Sequence, residues 1–395
     1  MHLTIVSPFP PAITGIGQYG YHITRTLAQS GSFSRITVLA GSHNNENAPN
    51  HLGATEIDYC WAPGQWKARA AILSRVKRLN PDVVWFNLGA SIFGKSPAVN
   101  VSGLLTPLFT QRLGFPTVVT LHELVELVDL HALDAPGGPF ARFGARLLTN
   151  ITTRADMTCL TMRHYVDWLT TRSVECAHIP IGAYHEPEYL KESDSQELLF
   201  FTTFAPFKGL ELLLEAFQLL RRDHPKLKLT IAGAEHVRFP NYVHTLKQKY
   251  ENTDGIHWLG QVAEDEVMQL FRRAQIVVLP YTASTGSSSV LYQAATWGRA
   301  VVVSDLNEIK ELVSESDLQV EFFKSGDTKE LYNAIGKLLA SPEKRHQQTS
   351  HNFSAIQRTR PAETCRKYLH AFNRALEKRQ SPKRVEIQIT ENKPA

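Results

Sequence analysis

Four junctions in the chain place chemistry-bearing residues where a short apolar run gives way to an amphipathic one. In SPFPPAITGIGQYG, residues 7–20, a strand ends in a Pro-rich turn and a helix opens at Gly15-Ile16-Gly17. The free N–H groups and dipole of a helix start favour an anion, and glycine lets the backbone approach a ligand. A tight strand–helix turn needs the same residues. The stretch is no dinucleotide fingerprint, because GxGxxG is completed only by Gly20 and the loop PFPPAIT is too long. In TVVTLHELVEL, His122 follows a strand directly, at the edge where open α/β sheets bind ligands, with Glu123 and Glu126 after it. A histidine there can meet a substrate hydroxyl or act as a base, and a capping or loop histidine is the ordinary alternative. In TFAPFKGLELLLEAF, Lys208-Gly209 opens a strongly amphipathic helix. A lysine at the positive end of a helix dipole is unfavourable, and an anion between them reverses the sign. The fourth junction is TASTGSSSVLYQ, residues 282–293. One serine is enough to cap a helix. Gly286, Ser287, Ser288 and their neighbours exceed that need and suit a phosphate, although a plain polar loop has the same composition.

The elements that must position these residues alternate along the chain. Candidate strands are 3–6, 36–40, 82–86, 117–121 and 157–161 in the first half. In the second half they are 198–204, 228–233, 256–260, 275–280 and 300–305, with amphipathic segments between. Strand–helix alternation predicts parallel sheets covered on both faces, and two such series predict two doubly wound Rossmann-like domains. The boundary falls in PIGAYHEPEYLKESDSQE, residues 180–197, which lacks an apolar period. The expected organisation is a first Rossmann-like domain over 1–185, a second over 186–360, a helix over 361–380 that opens with Pro361, and a polar, disordered tail over 381–395. Three anion-friendly helix starts on two such domains predict a nucleotide or other phosphorylated ligand in the interdomain cleft.

Bulk composition narrows the classes. The chain has 395 residues, a formal net charge of +4, 43% hydrophobic and 20% charged residues. That is a globular composition of two-domain size, too weakly basic to argue for nucleic acid. Four scattered cysteines without a CxxC pair speak against a zinc or disulfide framework and fit a reducing cytosol. MHLTIVSPFPP reads as a first strand, not a signal peptide, and no apolar run reaches the ~18 residues of a membrane span.

Taken in order, SPFPPAITGIGQYGYHITRTLAQSG, TVVTLHEL, IPIGAYHEP, FAPFKGLELLLEAFQLL, LTIAGAEH, GIHWLGQVAEDEVMQLFRRAQIVVLPY and LYQAATWGRAVVVSDLNEIKELV resemble the family-four retaining glycosyltransferases of GT-B fold, across about residues 1–378. The resemblance implies transfer of a sugar, with retention, from a UDP- or GDP-sugar to a glycan or glycolipid hydroxyl, with no required metal and no cofactor beyond the nucleotide sugar. By position, Gly15 and Gly17 correspond to the glycine loop near the donor phosphates. His122 corresponds to the histidine beside the transferred sugar, and Lys208 to the lysine that neutralises the diphosphate. Gly209, Gly233, Val262, Thr285, Gly286, Ser287, Ser288 and Gln293 fall on the nucleotide-sugar side, Val262 where the base packs. The last helix would cross back onto the first domain. The implied location is cytoplasmic, at or near the inner membrane face.

Two departures stand out. Thr285 and Gln293 occupy the positions of two glutamates that contact sugar and ribose. The arginine a few residues before the lysine is also missing, with Thr203 and Ala205 nearby. Diphosphate charge would then rest on Lys208, the helix ends and the serine loop. The departures also admit a non-catalytic nucleotide-sugar-binding protein. Glu123 and Glu126 admit an epimerase or hydrolase on the same fold. FNLGASIFGKSPAVN is a candidate acceptor wall. GGPFARFGARLLTNITTR reads first as a surface helix with its apolar face in the core, and secondly as a helix resting on an anionic membrane.

Overall fold

Eight strands build the first sheet: β1 (His2–Ser7), β2 (Arg35–Gly41), β3 (His51–Leu52), β4 (Thr55–Trp61), β5 (Val83–Leu88), β6 (Thr117–Leu121), β7 (Met157–Leu160) and β8 (Cys176–His178). Their spatial order is β3-β4-β2-β1-β5-β6-β7-β8, all parallel except the short β3. Six more build the second: β9 (Glu197–Phe201), β10 (Lys228–Ala232), β11 (Ile256–Gly260), β12 (Ile276–Leu279), β13 (Ala300–Ser304) and β14 (Glu321–Phe323), ordered β11-β10-β9-β12-β13-β14. The computed structural model describes residues 1–12, 14–41, 48–133, 138–236, 238–284 and 286–380. Thr285 and the tail 381–395 therefore lie outside the described residues.

The second sheet shows why its strands are unbroken apolar runs. Leu198 and Phe200 of β9, Ile276 and Val278 of β12, and Ala300 and Val302 of β13 face one apolar cluster. The intervening Leu199, Val277, Leu279, Val301 and Val303 face the other. A strand's period of two delivers alternate side chains to opposite faces, so a sheet with helices on both sides needs apolar residues at every position. Helix Leu210–Asp223 covers the first of these faces with Leu210, Leu213, Leu214, Phe217 and Leu220. Each such burial contributes about 1.5–3 kcal/mol. Arg221 and Arg222 in its last turn meet the negative end of the dipole.

The expected strands are all present within a residue or two, except that β9 stops at Phe201 rather than 204 and β5 runs to Leu88. Four strands carried too little signal. β3, β8 and β14 have two or three residues, and β4 (TEIDYCW) buries only Thr55, Ile57 and Trp61 fully.

The linker is fastened at both ends. Arg299, almost fully buried, donates to the carbonyls of Leu190 (2.7 Å) and Lys191 (3.0 Å), and Arg345 grips Glu192 at 2.6 Å. Upstream, Ala183 N–H donates to Thr359 O, and Arg25 donates to Tyr184 O. The final helix, Pro361–Gln380, packs on the first domain. Tyr368 Oη bridges Tyr19 Oη (2.7 Å) and Thr120 Oγ1 (2.9 Å), which also accepts from Trp85 Nε1.

Helix Pro139–Thr152 departs from its first reading. Phe143 is 69% exposed and Leu147 52%, while Thr149 and Thr152 face inward. Thr149 Oγ1 donates to Glu126, and Thr152 Oγ1 to Leu104 O. The inward face is tied down by hydroxyls beside Leu148, which packs on the core, while Phe143 and Leu147 stay outside.

Candidate active site

The carboxyl ends of β1, β5 and β6 supply one wall. Ser7 closes β1, Asn87 lies one residue before the end of β5, and His122 follows β6. Thr14 caps the first helix, Gly15–Gln29, by accepting from Gly17 N–H at 2.9 Å. A Cβ on Gly17 would lie 2.9 Å from the Thr14 hydroxyl, so Gly17 serves the cap. A Cβ on Gly15 would meet nothing within 4 Å, so protein packing does not require a glycine there.

His122 is 9% exposed and bonds Asn87 Oδ1 through Nε2 at 2.7 Å. Tyr19 presses edge-on against its ring at a centroid distance of 4.8 Å. Burial pushes its pKa down to about 4, so the imidazole is neutral at physiological pH. Glu123 beside it accepts from Ala90 N–H at 2.8 Å, and burial pushes its carboxyl above the usual range. Glu126 is engaged with Thr149 and Arg172.

The second wall comes from the carboxyl ends of β9, β10 and β12. Lys208 ends a single 3-10 turn, Pro206–Lys208, and Gly209 turns the chain into helix Leu210–Asp223 with φ of 70°. A Cβ on Gly209 would lie 1.8 Å from Pro280 O, so no side chain fits. The same holds at Gly233, φ 141°, against Thr202 O at 1.7 Å. Lys208 Nζ stands 3.9 Å from the centroid of the Tyr281 ring, and no carboxylate pairs with it among the described residues. His236, after β10, sits at about 4, driven down by burial and by the charges of Arg238 and Lys208. Arg238 donates to Leu133 O of the first domain.

The serine loop meets the first wall. A Cβ on Gly286, φ 143°, would lie 3.3 Å from His122 O and 3.5 Å from Tyr165 Oη. Ser288 stands at the N-cap position of helix Ser289–Thr296 with no side-chain capping bond. Ser287 is half-buried, Ser288 and Gln293 are buried, and Val262 is half-buried after β11. The structure thus brings His122 and Gly286 into contact across the cleft, and places Lys208 and Gly233 on the sheet edge that carries Gly286.

One group has metal-ligand spacing among the described residues: His22, His185 and Glu264. His22 Nε2 and His185 Nε2 lie 2.9 and 3.2 Å from the same Glu264 oxygen. Burial would raise Glu264, but the bonds to both histidines overcome it and hold the carboxyl at about 2. Arg25, which can only donate, lies 3.3 Å from His185 Nδ1. That nitrogen must therefore accept, which leaves the hydrogen on Nε2, pointing at Glu264. The arrangement is that of a clasp between first helix, linker and second domain, hydrogen-bonded through His185 and closed by the His22–Glu264 contact, with a guanidinium where a cation site needs negative charge.

Residues 185–353 match the family model described as glycosyl transferases group 1. Curated relatives include the lipopolysaccharide 1,2-N-acetylglucosaminetransferase of Salmonella typhimurium, 27% identical over 160 residues, which are 39% of this chain and 42% of the relative. Another is the phosphatidyl-myo-inositol mannosyltransferase of Propionibacterium freudenreichii, 24% identical over 138 residues, 35% of this chain and 33% of the relative. The matched stretches thus span less than half of these relatives. Among solved structures, sucrose-phosphate synthase from Thermosynechococcus elongatus superposes with a TM-score of 0.72 over 95% of this chain and 99% of that one, at 14% identity. Anabaena HepE in complex with UDP-glucose superposes at 0.69 over 94% and 99%, at 15% identity. The fold is therefore GT-B across both domains.

Three residues around the cleft had no role read for them in the sequence. Asn87 fell just past the expected strand 82–86, inside the stretch FNLGASIFGKSPAVN read as a candidate acceptor wall, with no role of its own. Its signal was being the one amide in VVWFNL. Arg238 and Tyr281 stand just past the carboxyl ends of β10 and β12, the edge where Lys208 was sought.

Proposed function

We propose that the protein is a retaining glycosyltransferase that moves a sugar from a nucleotide-diphosphate sugar, UDP- or GDP-linked, to a hydroxyl of a glycan or glycolipid. The observation that carries the reading is the cleft itself. The backbone carbonyl of His122, whose imidazole is neutral, lies beside the glycine of the serine loop on the other domain, and Lys208 stands on that loop's sheet edge with no carboxylate partner among the described residues. As the glycosidic bond breaks, charge builds on the diphosphate, and a fixed cation with helix-start amides stabilises it. Lys208 takes the first role. The open N-termini at Gly15 and at Ser288 take the second, with Ser287 and Gly286 beside them. Arg238 adds positive potential in place of the missing arginine. His122 meets the sugar, Val262 the base and Gln293 the ribose. Gly209 and Gly233 shape the backbone around the phosphates. The acceptor hydroxyl attacks on the face the diphosphate leaves and gives its proton to a phosphate oxygen, so no side-chain nucleophile and no metal are called for.

The names of the relatives support a carbohydrate or lipid-linked acceptor. A peripheral contact with an anionic membrane is supported by exposed Phe143 and Leu147 beside Arg142 and Arg146, which flank a groove of about 330 Å³. No described helix is long and apolar enough to cross a membrane. A thermal-shift panel of UDP-, GDP- and ADP-sugars tests the donor. One nucleotide series should raise the melting temperature in a concentration-dependent way. A flat response to all three contradicts the reading.

A further inference from the structure

Asn87 is fully buried, so its amide must find partners for two donors and one acceptor within the protein. The surroundings leave one solution. Its Nδ2 lies 2.9 Å from Ile16 O, a group that can only accept. The second Nδ2 hydrogen reaches Ser7 Oγ, also at 2.9 Å. Ser7 spends its own hydrogen on Pro8 O at 2.6 Å, so it accepts from Asn87. Flipping the amide would set Oδ1 against the Ile16 carbonyl. Oδ1 therefore faces His122 Nε2, and the imidazole nitrogen must donate. Gly20 keeps this arrangement open: a Cβ there would lie 2.3 Å from Ser7 Oγ and 3.0 Å from Asn87 Nδ2.

We propose that Asn87 is the positioning residue of the site: it locks His122 in the tautomer with hydrogen on Nε2, so that Nδ1 is presented to the ligand as a hydrogen-bond acceptor. The ligand group it suits is a donor, such as a sugar hydroxyl, and not a phosphoryl or carboxylate oxygen. No described protein group hydrogen-bonds Nδ1. Three termini converge on the lock, since β1 brings Ser7, β5 brings Asn87 and the first helix brings Ile16 O. Anything that shifts the glycine loop therefore shifts the imidazole. The Tyr19 edge packs against the ring, and across the cleft Gly286 lies beside the His122 backbone carbonyl rather than the imidazole. The neighbouring Glu123 directs its carboxylate to Ala90 N–H.

The proposal rests on the glycosyltransferase reading only for the identity of what meets Nδ1, and the experiment separates the two. In protein carrying 15N-labelled histidine, long-range proton–nitrogen spectra report which imidazole nitrogen holds the hydrogen. His122 is assigned by the signal lost in His122→Phe. The expected spectrum has a protonated Nε2 and a bare Nδ1 at neutral pH. Hydrogen on Nδ1 overturns the proposal, and the tautomer itself is read on the wild-type protein. In Asn87→Asp, a carboxylate 2.7 Å from Nε2 should move the His122 titration upward by roughly 1–3 pH units. A merely structural amide would leave the titration in place, and that result also overturns the proposal. Neither readout depends on turnover. The right tautomer in a protein that cleaves no nucleotide sugar would defeat the functional reading alone, and turnover with the wrong tautomer would defeat the positioning role alone.

Discussion

Replacing Gly209 by alanine should damage stability and the donor site together, and the structure sets the size. Gly209 holds φ 70° and ψ 29° at the N-cap of helix Leu210–Asp223, immediately after Lys208. A left-handed conformation costs an L-residue roughly 1–2 kcal/mol. The added Cβ would also stand 1.8 Å from Pro280 O, a backbone atom that cannot rotate away. Relieving such an overlap costs about 1–3 kcal/mol. The combined loss is on the order of 3 kcal/mol, equivalent to a fall of roughly 6–12 °C in melting temperature for a domain of this size. Relief requires the Lys208 turn to move away from β12, and a displacement of about 1 Å at a positioned charge can lower turnover ~100-fold. The assay is thermal and denaturant unfolding beside nucleotide-sugar turnover, with Gly336→Ala as the control. Gly336 lies inside helix Thr328–Ala340, and its Cβ would meet only Leu220 Cδ2, at 4.0 Å, so that change should gain up to about 1 kcal/mol. If Gly209→Ala melts within a degree of wild type and turns over normally, the argument from the Pro280 contact fails.

Three further outcomes follow from the same geometry. His122 binds its proton at about 4 in the fold against an ordinary 6.5, so stability is complete above pH 6.5 and declines as pH falls toward 4. At about 1.4 kcal/mol per pH unit, that window carries roughly 3 kcal/mol. His22, also lowered by burial, adds loss of the same sign, whereas Glu264 at about 2 stays ionised and contributes loss only below 4.5. Denaturant titrations should show the decline, and it should be shallower in His122→Gln. Tyr368→Phe strips a hydroxyl from between Tyr19 and Thr120 and should lower stability by about 1–3 kcal/mol, read by urea unfolding. Phe143→Ser with Leu147→Ser should leave stability within about 0.5 kcal/mol of wild type yet weaken co-sedimentation with anionic vesicles. Unchanged sedimentation would remove the membrane contact.

The fold was legible because buried parallel strands are unbroken apolar runs, as in TVVTL and AVVVS, and the helices between them keep a 3.6-residue period. β4 and β14 escaped because flanking strands with half-exposed residues lose that signature. Of the site, His122, Lys208 and the glycines stood out through their place after strands. Asn87 and Arg238 did not. Asn87 matters through an amide whose orientation depends on Ile16 O, Ser7 and His122, groups 71, 80 and 35 residues away. Such pairings leave no periodic trace. Phe143 and Leu147 misled for the opposite reason: an amphipathic pattern reveals two faces of a helix but not which one turns inward, and here hydroxyls took the inner face.

The claim at the centre is that Lys208 neutralises the diphosphate as the donor bond breaks. Its most direct test compares initial rates of nucleotide-sugar cleavage by wild type and Lys208→Ala, using the nucleotide series that stabilises the protein. Losing a hydrogen bond to a charged group worth about 1.5–3 kcal/mol should lower kcat/KM by roughly 10–150-fold while the fold melts as before. Equal rates for the two proteins would contradict the account.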